Sequence, residues 1–173
     1  MTPTGALSCM RASIDEAGAI EIAGRAGTSP PPRAGRRLHY PYYRFLFRST
    51  ASTLLGESTS HVCCLVDART GLAATSDPFD TVTLHPPGED VLGPTLGEAE
   101  ANALARRFVR HVIHARRRSL ATPRIEPLDR GLVYKPFWVV AGGTASLLVD
   151  GVTGATLPLR GAAGPTLQTT RRS

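Results

Sequence analysis

The stretch Val-Asp-x-x-Thr-Gly occurs twice, as VDARTG at 66–71 and VDGVTG at 149–154, each time closing an apolar run. In this pattern the aspartate accepts hydrogen bonds from backbone N–H groups two and three residues on. The threonine hydroxyl offers a weaker version of the same bond, and the glycine takes positive φ without steric cost. A hairpin turn with a bulge needs those three properties together. Asp67, Thr70, Gly71 and Asp150, Thr153, Gly154 are therefore expected as turn-formers, and not as a carboxylate pair for acid–base or metal chemistry. A chain that writes the same strand and turn twice is constrained to build two hairpins.

The flanking segments repeat in the same order. Pro41-Tyr42-Tyr43 aligns with Pro136-Phe137-Trp138, and Gly142-Gly143 is a further hairpin signal. Ahead of the second hairpin, Ala101, Leu104, Ala105, Phe108, Val109 and Val112 recur at helical spacing, with Thr95 as N-cap and Glu98 at the capping-box position. Ahead of the first, Ser13 and Glu16 suggest a shorter helix with Ile14, Ala17, Ile20 and Ala23 on its apolar face. The reading is an α+β protein made of two helix-plus-antiparallel-hairpin repeats packed together. The first repeat is placed at 13–84, a linker at 85–96 and the second repeat at 97–160. Residues 1–12 and 161–173 lack periodicity and are expected to be disordered.

This arrangement resembles the PepSY-type repeat, an alanine-rich helix followed by a hairpin whose second strand ends in V-D-x-x-T-G. Residues 97–160 (GEAEANALARRF…YKPFWVV…LLVDGVTGATLPL) carry the likeness best, and HYPYYRFLF with CLVDARTGLAAT extends it to the first half. The resemblance implies a cystatin-like curved sheet cradling a helix, used for protein interaction or for restraining a peptidase.

Composition narrows the chemistry. At 173 residues and 42% hydrophobic, the chain can bury a core without metal or disulfides. All but one of its 20 basic residues are arginine, which with abundant alanine reflects a GC-rich genome more than a selected surface. No run of eighteen apolar residues is present, so no membrane span is expected. The first twenty residues lack a basic segment followed by an apolar one, so no export signal is expected either. The three cysteines, Cys9, Cys63 and Cys64, have no framework spacing, which fits a reducing, cytoplasmic setting. HVCC at 61–64 and the pair His111 and His114 fall short of four metal ligands, and there is no C-x-x-C. No metal or cofactor is expected, and no phosphate loop, nucleophile elbow or zinc-protease motif appears.

Three functional classes follow. The leading one is a non-catalytic protein- or peptide-binding module, with Tyr40, Tyr42, Tyr43, Tyr134, Phe137 and Trp138 as an aromatic recognition surface; it allows a homodimer. The second is a nucleic-acid-binding protein using the net charge of +6 and the helix residues Arg106, Arg107, Arg110, Arg116, Arg117 and Arg118. The third is a small-ligand or enzymatic cone with His39, His61 or Asp67 lining a cavity.

Overall fold

The computed structural model describes residues 5–27, 35–53, 56–87, 90–116, 124–142 and 145–159. The elements are β1 (Leu7–Met10), α1 (Glu16–Arg25), β2 (Gly35–Thr53), β3 (Gly56–Asp67), β4 (Ala73–Ser76) and β5 (Thr81–Leu84), then α2 (Glu98–Arg116), β6 (Arg124–Gly142), β7 (Ala145–Asp150) and β8 (Thr156–Leu159). The strands join one eight-stranded sheet in the order β4-β3-β2-β6-β1-β5, with β7 added on β6 and β8 on β7. The sheet is mixed: β1 runs parallel to β6, whereas β2–β3, β3–β4, β6–β7, β7–β8 and β1–β5 are antiparallel. The chain divides into two compact units, one of residues 1–10 and 40–135, the other of 11–39 and 136–173.

The first unit is organised by alternation in β2. Tyr43, Phe45, Phe47 and Ser49 are buried at every second position, as a strand with one covered face requires. In register with them, β3 turns Cys64 and Val66 to the same core. Ala101, Ala105, Val109 and Ile113 of α2 close this core from above, four residues apart along one helix stripe. Alanine at the first two places lets the helix backbone lie close over the ring stack, in which Phe45 and Phe47 are 6.1 Å apart. Burying a ring of this kind stabilises the fold by ~1.5–3 kcal/mol. A second cluster joins Leu7, Cys9, Val91 and Tyr134, with Val82, Leu84 and Leu132 against it.

The second unit is smaller. Ala19 and Ala23 of α1 pack on Val140 and Val149, with Ile14, Ile20, Ile22, Trp138 and Leu147 around them. The Asp15 carboxylate caps this helix, accepting from the Gly18 N–H at 2.8 Å.

Two helix-plus-hairpin repeats are not what the chain forms. It forms one large mixed sheet with two helices, and each helix covers the hairpin of the other half of the sequence. α1 precedes the β2–β3 hairpin in the chain but packs with β6 and β7, and α2 precedes β6 and β7 but packs with β2 and β3. The reason is visible in the segments that lead into the helices. Thr95 and Leu96 donate their N–H groups to the carbonyl of Ala68, and Ser13 and Ile14 donate theirs to the carbonyl of Gly151. Helical periodicity shows that a helix has an apolar face, but not which hairpin buries it.

Smaller corrections concern the helix caps and the segments expected to lack structure. Thr95 does not cap α2, because its hydroxyl is turned to the carbonyls of Ala68 and Arg69; the Gly97 carbonyl takes the first helical bond, from Ala101. Asp15, not Ser13, caps α1. Residues 7–10, within the terminus expected to be disordered, form β1, and the expected linker 85–96 contains the buried Val91. The expected disordered tail at 161–173 lies outside the described residues.

Candidate functional site

The two turns are built alike, bond for bond. Asp67 accepts from the N–H groups of Arg69 (2.8 Å) and Thr70 (3.0 Å), and Asp150 from those of Val152 (2.9 Å) and Thr153 (3.2 Å). The Thr70 hydroxyl oxygen accepts from the Leu72 N–H, and that of Thr153 from the Ala155 N–H. Gly71 and Gly154 sit at φ 75° and 73°. Asp67 also takes the Tyr40 hydroxyl at 3.1 Å, and burial together with that carboxylate raises the Tyr40 phenol well above its ordinary range. Both carboxylates are buried and occupied with backbone donors.

The aromatic residues do not form a recognition surface. Tyr40, Tyr43, Tyr134 and Phe137 are buried; Tyr42 and Trp138 keep partial exposure. Their polar heads are turned inward as well. The Tyr43 hydroxyl donates to the Leu96 carbonyl at 3.1 Å, and the Trp138 indole N–H to the Ile14 carbonyl at 3.0 Å. These rings thus pin the segments leading into α2 and α1, a structural role that uses both the apolar body and the polar tip. Arg37 lies over the Trp138 ring, 5.5 Å from its centre.

The third constellation is not assembled either. Asp67 is committed to its turn, and His61 stands six residues from it along β3, roughly 20 Å at about 3.3 Å per residue. His39 is buried in β2. A 310 Å³ recess lined by Leu46, His61, Cys63, Ser76, Asp77 and neighbours brings a thiol and an imidazole to one place, but burial pushes the Cys63 thiol up, away from the reactive thiolate. Among the described residues, no three His, Cys, Asp or Glu side chains gather as metal ligands would.

A groove with room for a ligand lies beside the first turn. Leu72, just ahead of β4, and Ala73, its first residue, face Leu104, Arg107, Phe108 and His111 of α2 across this groove, which has a volume of about 490 Å³ and reaches Gly71. Leu72 is 55% exposed, one of two large apolar side chains so open among the described residues. A second recess, lined by Ala103, Arg106, Arg107 and Arg110, shares Arg107 with the groove. Arg107 and Arg110 are exposed and Arg106 partly so, and among the described residues none of the three forms an ion pair. The side chain of Arg116 and the whole of Arg117 and Arg118 lie outside the described residues.

The other wall of the groove is a sheet edge. Among the described residues β4 pairs with β3 on one side only and ends the strand order. The Asp67 N–H donates to the Leu72 carbonyl, so the alternation of an antiparallel ladder turns the N–H and C=O of Ala73 and Thr75 away from β3. Reading the sequence passed over this site because its apolar residues come from two distant segments. The available signal was Leu72, a large apolar side chain placed directly after a turn glycine.

Among the described residues no helix is long and apolar enough to cross a membrane. No protein-family model, curated protein or solved structure matches the chain, and the resemblance to PepSY-type repeats rests on the quoted residues alone.

Proposed function

We propose that the protein is a non-catalytic peptide- or protein-binding module whose working surface is the groove between α2 and β4. One observation carries the reading: a sheet edge with outward-facing backbone groups runs beside an apolar trough that includes the open Leu72. An exposed edge is a template for another chain, and the trough gives that chain somewhere to place a side chain. The three buried cysteines form no disulfide with one another, which suits a reducing cytoplasm.

Amide-resolved NMR titration with a pool of short extended peptides tests the reading. The expected result is saturable shift changes at Leu72–Ser76 and at Leu104–His111. Unchanged spectra throughout the pool, or changes confined to residues remote from both walls, would overturn it.

A second reading draws on the exposed Arg107 and Arg110 and the net charge of +6, which suit phosphate backbones. It predicts DNA or RNA binding that weakens steeply with salt and is indifferent to Leu72.

A further inference from the structure

Resting on the peptide-binding reading, we infer that the groove takes an acidic, extended segment of another protein, which adds to β4 as a new strand, seats one apolar side chain on Leu72, Leu104 and Phe108, and sets carboxylates against Arg107. Three features of the site select that chemistry. The outward N–H and C=O groups of Ala73 and Thr75 ask for a backbone with the same repeat, which an extended chain offers and a helix does not. β4 has four residues, so about four residues of ligand, some 13 Å at about 3.3 Å per residue, complete the contact. The side chains of β4 are Ala73, Ala74, Thr75 and Ser76, small enough to leave the trough to the incoming chain.

Charge fixes the rest. The rim toward α2 holds Arg107 and His111 in the groove and Arg106 and Arg110 beside it. The acidic residues of α2 are in its first turn, Glu98 and Glu100, and Glu98 is paired with Arg130 at 3.0 Å. The basic rim is thus complementary to aspartate or glutamate side chains on the ligand. A second copy of this chain is a poorer occupant. Between the flanking Leu72 and Asp77, its own β4 brings no carboxylate and no apolar side chain larger than alanine. Nucleic acid would satisfy the arginines and leave Leu72 and Phe108 against water.

Fluorescence anisotropy with amide-capped hexapeptides tests the inference, the cap removing any terminal carboxylate. One probe has a central leucine flanked by valines and aspartates. A second replaces the aspartates by lysines, and a third is the acidic probe N-methylated at alternate backbone positions. The acidic probe is expected to bind at least about tenfold more tightly than either of the others. Arg107→Glu should invert the charge preference, and Leu72→Ser should weaken the acidic probe about tenfold. Thr75→Pro, which removes an outward N–H tolerated as proline at an edge, should do the same, with circular dichroism confirming the fold. Equal binding of acidic and basic probes, or indifference to N-methylation, would overturn the inference while leaving peptide binding itself standing. No binding by any probe would overturn both. Self-association abolished by Thr75→Pro, or competition by duplex DNA insensitive to Leu72→Ser, would assign the groove to another occupant and overturn it too.

Discussion

The turn at Asp67 and the turn at Asp150 hold their helices by the same bonds, yet they present different surfaces. At each, a carbonyl one residue past the aspartate receives two N–H groups from the segment ahead of a helix, and a ring on the neighbouring strand donates to that segment. At each, a helix side chain closes over the turn glycine: Leu104 stands 3.2 Å from where a Cβ on Gly71 would be, and Ile22 3.3 Å from one on Gly154. The residue after the glycine is Leu72 at the first turn and Ala155 at the second. Four residues beyond the closing side chain stand Phe108 and Ala26, respectively. Arg107 is without an ion pair among the described residues, whereas Arg25 is bonded to Glu21. The shared parts are those that dock a helix; the parts that differ are those that would meet a ligand.

The comparison can be broken at its core first. Phe47→Ala should destabilise the first unit by ~3–5 kcal/mol, and Val149→Ala the second by ~1.5–3 kcal/mol, both read from urea midpoints. Equal costs would mean that the ring stack is not the heavier core.

Alkaline pH should separate the two units next. The raised phenols and thiols, Tyr40, Tyr43, Tyr134, Cys63 and Cys64, all belong to the first unit. Burial pushes Cys64 up from 9.0 to about 12. Between those values the unfolded chain has released the proton and the folded chain has kept it, so stability is full below pH 9.0 and falls as pH rises toward 12. Cys64 alone should remove about 2 kcal/mol by pH 10.5, and Cys64→Val should flatten that part of a melting-temperature profile. A wild-type profile level from pH 8 to 10.5 would sink the assignment.

Backbone geometry gives a smaller and more symmetrical effect. Gly71→Ala and Gly154→Ala should each cost ~1–2 kcal/mol, since both positions have positive φ. A large inequality between them would show that the turns are not equivalent supports. The smallest expected effect is Tyr43→Phe, about 1 kcal/mol for the lost bond to the Leu96 carbonyl, with amide exchange accelerated around residues 95–98.

The local chemistry of the molecule can be read in its sequence far better than its long-range pairings. Aspartate, threonine and glycine in fixed order specify a turn because each satisfies a separate backbone requirement. The stripe of α2 is legible from Ala101, Ala105 and Val109, although the fourth buried member is Ile113 rather than Val112. The partner of each helix is not legible, because either hairpin offers the same carbonyl and the same apolar face. The aromatic strands mislead for a related reason. Alternation shows that Tyr40, Tyr43 and Trp138 fall on defined faces, but not that His39–Pro41 and Val133–Tyr134 are buried at consecutive positions, that the Tyr40 hydroxyl is held by Asp67, or that the polar tips of Tyr43 and Trp138 are engaged by pre-helix carbonyls. β1 escapes notice because four residues of LSCM carry too short a pattern to stand above the background.

The exchange of helices sets a timetable for synthesis. α1 ends at Arg25 and β7, which completes its landing site with β6, begins at Ala145, so 120 residues must leave the ribosome after the helix before the second landing strand starts to appear. At about 5–20 residues per second that is a wait of roughly 6–24 s with Ile20, Ile22 and Ala23 uncovered. A nascent chain stalled before Ala145 should therefore be a chaperone client, whereas one released after Leu159 should not.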